Sequence, residues 1–501
     1  MSADAVEMPD GRLYVGGVWE TGTGAEITSI FPADGSVNRV LRGASRADGE
    51  RAIERAVRAQ ADPAWRGLKP HERARILTRI GDGIEANATR ISRIQTRDTG
   101  KTLRETAALA ASAAATFRYF AAVLETMDDA LTAQRADSLT MSVHEPLGVV
   151  AGITPWNSPI ASDAQKVAPA LAAGNAVLIK PASWSPLVSL ELARIIEAAG
   201  LPPGLFSVLP GAGREIGNLL VEHPAIRRVS FTGGTATGRM LARQAAEKLM
   251  PISLELGGKS PTIVFADADI DLAVAGVLYG IFSSTGQSCI AGSRLFVQRA
   301  IHDRFVERLV AATRALKVGH PFDPDTQVAP LVHPDHRDAV AGHVAAARAE
   351  GARVLCGGAA PEGPQYEGGA YYLPTILAGL GNDAATCREE IFGPVLVVLP
   401  FDDEAEVIAA ANDNAYGLAC GIWSRDFPRA WRVGRAITTG TVWVNTYKQF
   451  SIATPFGGEK DSGTGREKGR AGLHAWMAQK SFYIDLTGQP HPWARWPAGG
   501  A

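Results

Sequence analysis

The chain has 501 residues, 46% of them hydrophobic and 20% charged, with 50 Lys and Arg against 52 Asp and Glu. That is enough apolar material for several cores at roughly 150 residues per domain, and it excludes a largely disordered chain. A net charge of −2 gives no global reason to bind nucleic acid or an anionic membrane, and four widely spaced cysteines exclude a disulfide framework.

Met1–Glu20 carries acidic residues and lacks the apolar core of a signal peptide. No apolar run reaches the roughly 20 residues that span a bilayer, the longest of note lying at Ala273–Phe282. A soluble protein of the reducing cytoplasm is expected, with no membrane or nucleic-acid partner. From 71 to 127 the pattern is helical. Leu77, Ile80, Ile84, Ile91 and Ile94 recur at helical spacing, and Gly100 separates two helices, the second Ala-rich from Glu105 to Met127. From 148 short β-branched runs take over: Gly148–Ile153, Ala176–Lys180, Phe206–Leu209 and Val229–Phe231. They alternate with helical stretches at Leu187–Ala199, Arg214–Glu222 and Thr235–Leu249. A second alternating series begins with Thr262–Phe265. It continues through a buried helix at Ile270–Ser283, strands at Ser293–Val297, Val395–Val398 and Val442–Asn445, and a helix at His302–Leu316. Such alternation predicts parallel sheets covered on both faces. Leu139–Val143 and Lys480–Leu486 alternate polar and apolar residues outside both series, and are expected to pair with each other or with another subunit. The tail Gly488–Ala501, rich in Pro, Trp and Gly, is not expected to continue the last regular element.

Several motifs fail on inspection. Gly257–Ser260 ends like a Walker loop, but Ser253 stands where its first glycine belongs. Gly211–Ile216 and Gly286–Ile290 each lack the last glycine of the patterns they begin. His333 and His336 have no glutamate that would make them a zinc pair. No CxxC pair is present, so no metal site is expected.

Three stretches carry chemistry. Cys289 follows Thr285–Ser288 on a polar turn after an apolar helix, where a thiolate with a lowered pKa is a strong nucleophile; Cys356, Cys387 and Cys420 read as small buried hydrophobes. Glu255 sits between two leucines and before a glycine pair, where desolvation raises a carboxylate into the range of a general base. Asn157 is held between Pro155 and Pro159 in a stiff turn, which suits an amide that donates to an oxyanion. Val229–Gly238 reads as a strand, a glycine turn and a helix start, a geometry that suits a pyrophosphate.

Together these residues resemble the aldehyde dehydrogenase superfamily. The motifs run in family order: Pro155–Pro159, Lys180-Pro181-Ala182, Phe231–Thr235, Glu255–Lys259, Gly286–Cys289, Glu389–Pro394, Asn445, Pro455–Gly458 and Ser462–Glu467. The resemblance implies two Rossmann-like α/β lobes and a small β oligomerisation extension. The cofactor lobe would take residues 1–127 and 147–255 and the catalytic lobe 256–478. The extension and C-terminal tail would take 128–146 and 479–501. A homodimer or homotetramer is implied.

The implied reaction is NAD(P)-dependent oxidation of an aldehyde to its acid. Cys289 forms a thiohemiacetal and then a thioester, Asn157 and the Cys289 N–H hold the oxyanion, Glu255 activates water, and Glu467 is a second carboxylate that assists proton removal. The cofactor would be bound by Ile153, Thr154, Pro155 and Trp156, by Lys180, Ala182 and Ser183, and by Gly213. Phe231, Thr232, Gly233, Gly234 and Thr237 would follow, with Leu256, Gly257, Glu390 and Phe392. Ser183 stands where NAD-preferring members commonly carry Glu, which favours NADP slightly over NAD; Gly234 replaces a common Ser. The substrate pocket would be formed by Ser158, Ser162, Gln165, Ile290, Phe450 and Phe456. Its small and polar residues imply a wider, more polar pocket than one for short aliphatic aldehydes. A CoA-acylating semialdehyde dehydrogenase would not need Glu255. A non-catalytic structural protein on the same fold would not need Cys289, Glu255 and Asn157 together.

Overall fold

Five strands form the parallel centre of the first sheet: in sheet order, Phe206–Val208, Ala176–Lys180, Val149–Ile153, Ile226–Thr232 and Ile252–Glu255. The structure is a computed structural model that describes residues 6–132, 135–491 and 493–494. Val149–Ile153 and Ala176–Lys180 are buried throughout, as expected of strands with helices on both faces. The antiparallel strands Leu13–Val15 and Val18–Glu20 close one edge, and Gly463–Thr464 closes the other against Leu254 and Glu255.

The chain runs outward from Val149–Ile153 to Ala176–Lys180 and Phe206–Val208, then crosses back to place Ile226–Thr232 on the other side. The strand order therefore reverses beside Val149–Ile153, and ligands of such sheets bind in the crevice at the carboxyl ends there. Register brings those ends level: Ile153 pairs with Lys180 and with Phe231, and Thr232 pairs with Glu255.

The second sheet has seven strands in the order Arg353–Cys356, Thr375–Ala378, Val395–Phe401, Arg294–Gln298, Pro261–Val264, Ala419–Trp423 and Thr441–Val444. All its pairings are parallel except that of the first two strands. The two α/β units expected from the alternating pattern are thus present. The segment from Gly463 to Trp476, within the stretch expected for the catalytic lobe, returns to the first unit. Gly463–Thr464 extends its sheet, and Leu473 and Trp476 join its core.

The helical region differs in detail from the sequence pattern. Three helices form, Pro70–Ala86, Ala88–Thr99 and Leu103–Glu125. Gly100 ends the second in the left-handed conformation at φ 75°, while the unforeseen break falls at Asn87, whose side chain donates to the Gly83 carbonyl at 2.8 Å. Leu103–Glu125 is, contrary to the expectation of no such run, long and apolar enough to cross a membrane by length and composition. Here Ala110, Ala113, Ala114, Phe117 and Phe120 are buried in the core, so its apolarity is that of a packed central helix.

The two segments outside the main series pair with each other. Ser138–Pro146 runs antiparallel to Met477–Asp485, from Met477 opposite Pro146 to Asp485 opposite Ser138, and Ala130–Leu131 adds a third strand. Of the tail, residue 492 and residues 495–501 lie outside the described residues.

Candidate functional site

A cavity of about 600 Å³ opens where the strand order reverses. Each central strand sends its carboxyl end into the wall: Ile153, Thr154, Pro155, Trp156 and Asn157 from one, Lys180 and Ala182 from the next, and Phe231, Thr232, Gly233, Gly234 and Thr237 from the third. Glu255, Leu256, Gly257 and Cys289 line it as well, with Gly213, Glu390 and Phe392. Ser183 is exposed and is not among the wall residues, although Ala182 and Trp184 on either side are.

One part of the cavity is built for a dinucleotide. Gly233 and Gly234 lead into the helix Thr235–Ala246, whose first N–H groups and positive dipole end suit a pyrophosphate. A Cβ on Gly233 would lie 2.6 Å from the Phe231 ring, and nothing lies near Gly234. Lys180 spends one N–H on the Pro181 carbonyl at 2.9 Å, and burial lowers its pKa to about 8. Glu390 accepts from the Gly258 N–H at 2.9 Å, and burial raises its pKa to about 7. A Cβ on Gly257 would sit 2.2 Å from Glu390 Oε2, so glycine there is what lets the carboxyl in. These residues fit a nicotinamide dinucleotide. The sequence reading missed part of the wall. Trp184, Arg214 and His336 also line it; Trp184 stacks on His333 at 5.1 Å, and His336 Nε2 lies 2.9 Å from the Phe392 carbonyl. The pair His333 and His336, read as a failed zinc motif, supports this wall.

The nucleophile is delivered by backbone geometry. After the helix Ile270–Phe282, Ser284, Thr285 and Gly286 are all left-handed, with φ of 57°, 55° and 71°. The turn is pinned by three bonds: the Ser284 N–H donates to Glu105 at 2.6 Å, Thr285 Oγ1 to the Ala329 carbonyl at 2.8 Å, and the Val332 N–H to Gln287 Oε1 at 2.9 Å. Asn157 Nδ2 donates to the Gln287 carbonyl at 3.1 Å, which leaves its second N–H beside the cysteine turn. The sequence leads one to expect a lowered thiol pKa, and the structure shows the opposite. Burial first, then Glu390 and Glu255, raise Cys289 to about 12, with Lys448 acting the other way.

Glu255 is buried, and neither carboxyl oxygen has a hydrogen-bond partner. Burial, then the charge of Glu467, raises its pKa well above the ordinary 4.5. Glu467 lies behind the wall. Its carboxylate accepts from Ser230 Oγ at 2.9 Å and from Lys166 Nζ, which also donates to Ser230 at 2.9 Å and to Thr232 at 2.8 Å. Lys166 was missed; its only sequence signal is a lysine inside the otherwise buried helix Pro159–Ala172.

None of the residues expected in the substrate pocket lines the dinucleotide cavity. Ile290 and Phe456 instead pack with Cys289, Trp443 and Tyr447 in a separate apolar cluster. Phe450 meets Phe456 at 5.5 Å and Trp443 at 5.6 Å. Ser158 and Ser162 hydrogen-bond each other at 3.1 Å, and Gln165 is half-buried.

The model of the aldehyde dehydrogenase family matches residues 19–482. The chain belongs to the aldehyde dehydrogenase family. Among its relatives, the betaine aldehyde dehydrogenase of Mesorhizobium japonicum is 44% identical over 487 residues, 97% of this chain and 99% of the relative. Betaine aldehyde dehydrogenase 2 of Rhizobium meliloti is 43% identical over 481 residues, 95% and 98% of the two chains. A betaine aldehyde dehydrogenase from Staphylococcus aureus, solved in complex with NAD+, superposes with a TM-score of 0.95 at 35% identity, covering 98% of this chain and 97% of that one. A putative aldehyde dehydrogenase from Burkholderia cenocepacia gives 0.94 at 38% identity, covering 97% and 99%. This aldehyde dehydrogenase is therefore an oxidoreductase that oxidises an aldehyde with NAD(P) through Cys289.

Proposed function

We propose that this aldehyde dehydrogenase completes its reaction by hydrolysis and releases the free carboxylic acid. The observation that carries this is the buried, unpartnered carboxyl of Glu255 in the same cavity wall as Cys289 and Asn157. Cys289 Sγ, as the thiolate, attacks the aldehyde carbon to give a thiohemiacetal. Asn157 Nδ2 and the Cys289 N–H hold the oxyanion as charge develops on it. NAD(P), when bound, supplies the hydride acceptor, so that the carbon is left as a thioester on Cys289. Glu255 takes a proton from water, and the hydroxide formed attacks the thioester, expelling Cys289 as thiolate and releasing the acid. Glu467, held by Lys166 and Ser230, keeps a second carboxylate close enough to act on Glu255.

The cofactor would be held by Lys180 at its adenosine ribose, by the turn at Gly233 and Gly234 at its pyrophosphate, and by Glu390 and Phe392 at its nicotinamide end. NADP is slightly favoured over NAD. No carboxylate stands at Ser183 to repel a 2′-phosphate, and Lys180 and Arg214 both line the wall. The cofactor lobe is formed by 1–127 and 147–255, joined by the returning segment 463–476, and the catalytic lobe by the rest of 256–478. The three-stranded sheet serves as the oligomerisation extension of a homodimer or homotetramer, supported by exposed Phe482, Tyr483, Ile484 and Leu486. Cytoplasmic placement is supported by four cysteines that are all free.

The test is a panel of aldehydes with each cofactor, with and without CoA, following nicotinamide reduction and identifying the product. A free acid without CoA, lost in Cys289→Ala, is the expected result. A strict CoA requirement would overturn the hydrolytic reading, and a preference for NAD of about tenfold or more would overturn the cofactor reading.

A further inference from the structure

Two lysines lie near Cys289 outside the dinucleotide cavity, and none of the catalytic roles above uses them. Lys448 follows the strand Thr441–Val444 with a left-handed φ of 53°, a conformation that L side chains rarely adopt. Its Nζ donates to Ser283 Oγ at 2.8 Å and faces the Tyr279 ring at 5.9 Å. Ser283 is the residue at which the turn to Cys289 begins, and the Lys448 ammonium favours the Cys289 thiolate. Lys468 is likewise left-handed, at φ 61°, and buried. Its Nζ lies 4.1 Å from the Phe450 ring centre and 5.5 Å from that of Phe456, the ring that packs with Cys289.

Among the described residues neither lysine has a carboxylate within ion-pair distance. The acidic groups that face them are otherwise engaged. Glu105 accepts from the Ser284 N–H at 2.6 Å and caps its helix through Thr102, with Lys101 beside it. Glu467 is paired with Lys166. Glu255, the other carboxyl that Lys468 senses, is held toward its neutral form by burial. Beside Cys289 there are therefore two amines with no matching carboxylate, and burial lowers the pKa of both, that of Lys448 to about 7, so an anionic partner would hold them charged. A desolvated amine of this kind either gives up its proton or takes an anionic partner.

The aromatic rings point the same way. Trp443, Tyr447, Phe450 and Phe456 form a chain of ring contacts at 4.9–5.6 Å that would suit a quaternary ammonium if their faces were open. The face of Phe450 is already covered by the Lys468 ammonium.

We infer that the aldehyde oxidised by this enzyme carries a negative charge, such as a carboxylate, that Lys448 and Lys468 bind as specificity-determining residues, and that a trimethylammonium aldehyde is disfavoured. This rests on the catalytic reading above and sets the chain apart from the betaine aldehyde dehydrogenases it resembles.

The test compares kcat/KM for 5-oxopentanoate, pentanal and betaine aldehyde at saturating cofactor. The anion is expected to exceed pentanal by about tenfold or more, and betaine aldehyde to fall below pentanal. In Lys448→Met and Lys468→Met the anion-to-neutral ratio should fall toward one, mainly through KM, while Lys448→Arg keeps it; thermal melts check that each variant is folded. A wild-type ratio near or below one, betaine aldehyde as the best substrate, or an unchanged ratio in both Met variants would overturn the inference and leave the catalytic reading standing. No turnover of any of the three would overturn both.

Discussion

Replacing Glu255 by Gln keeps the volume of the side chain and removes the base. In the wild type, burial and the charge of Glu467 raise this carboxyl well above 4.5, so its basic form grows as pH climbs from 4.5 toward that raised value. Thioester hydrolysis, and with it kcat, should rise over the same window. A positioned base is worth about 10²–10⁴ in rate, which is about 3–5 kcal/mol of barrier. Glu255→Gln leaves Asn157 and Cys289 in place, so the first turnover should still proceed. Rapid mixing should show a burst of about one reduced nicotinamide per site, then a steady rate lower by about 10²–10⁴. The steady rate should also lose the rise with pH that belongs to Glu255. A kcat within about threefold of wild type, or disappearance of the burst with a slow steady rate, would refute the assignment of Glu255 to hydrolysis.

Three further outcomes follow from the same geometry. Asn157→Ala should lower the rate of the burst itself by about 10²–10³ through loss of one oxyanion donor; a change confined to KM would contradict that role. Gly257→Ala places a Cβ 2.2 Å from Glu390 Oε2 and should weaken NAD(P) binding by about tenfold or more, the worth of a hydrogen bond to a charged group; unchanged cofactor affinity by titration would contradict it. Lys166→Met leaves the Glu467 carboxylate without its cation in a buried setting and should cost about 3–5 kcal/mol in denaturant unfolding; a loss under about 1 kcal/mol would show that the pair is dispensable.

What the sequence by itself determined is a set of groups that line the cavity at element ends. Asn157, Lys180, Gly233 and Gly234, Glu255 and Cys289 are legible because each lies at or beside a strand or helix end with an informative neighbour: a proline pair, a glycine pair, or an apolar run that stops. The parallel α/β class is legible for the same reason, since β-branched runs alternating with amphipathic ones report burial period. Tertiary structure decided the rest. Ile252–Glu255 is too short to show a period, and it becomes a strand because Val229–Thr232 on one side and Gly463–Thr464 on the other take up its hydrogen bonds. Lys166 and Glu467 are 301 residues apart, and no local pattern says that they meet. The thiol of Cys289 has a raised pKa where a lowered one was sought, because desolvation and two carboxyls are brought to it by other segments. Lys448 and Lys468 look like ordinary surface charges in sequence. Only the fold brings their amines near Cys289, where a charge's energy depends on surroundings that come from distant parts of the chain.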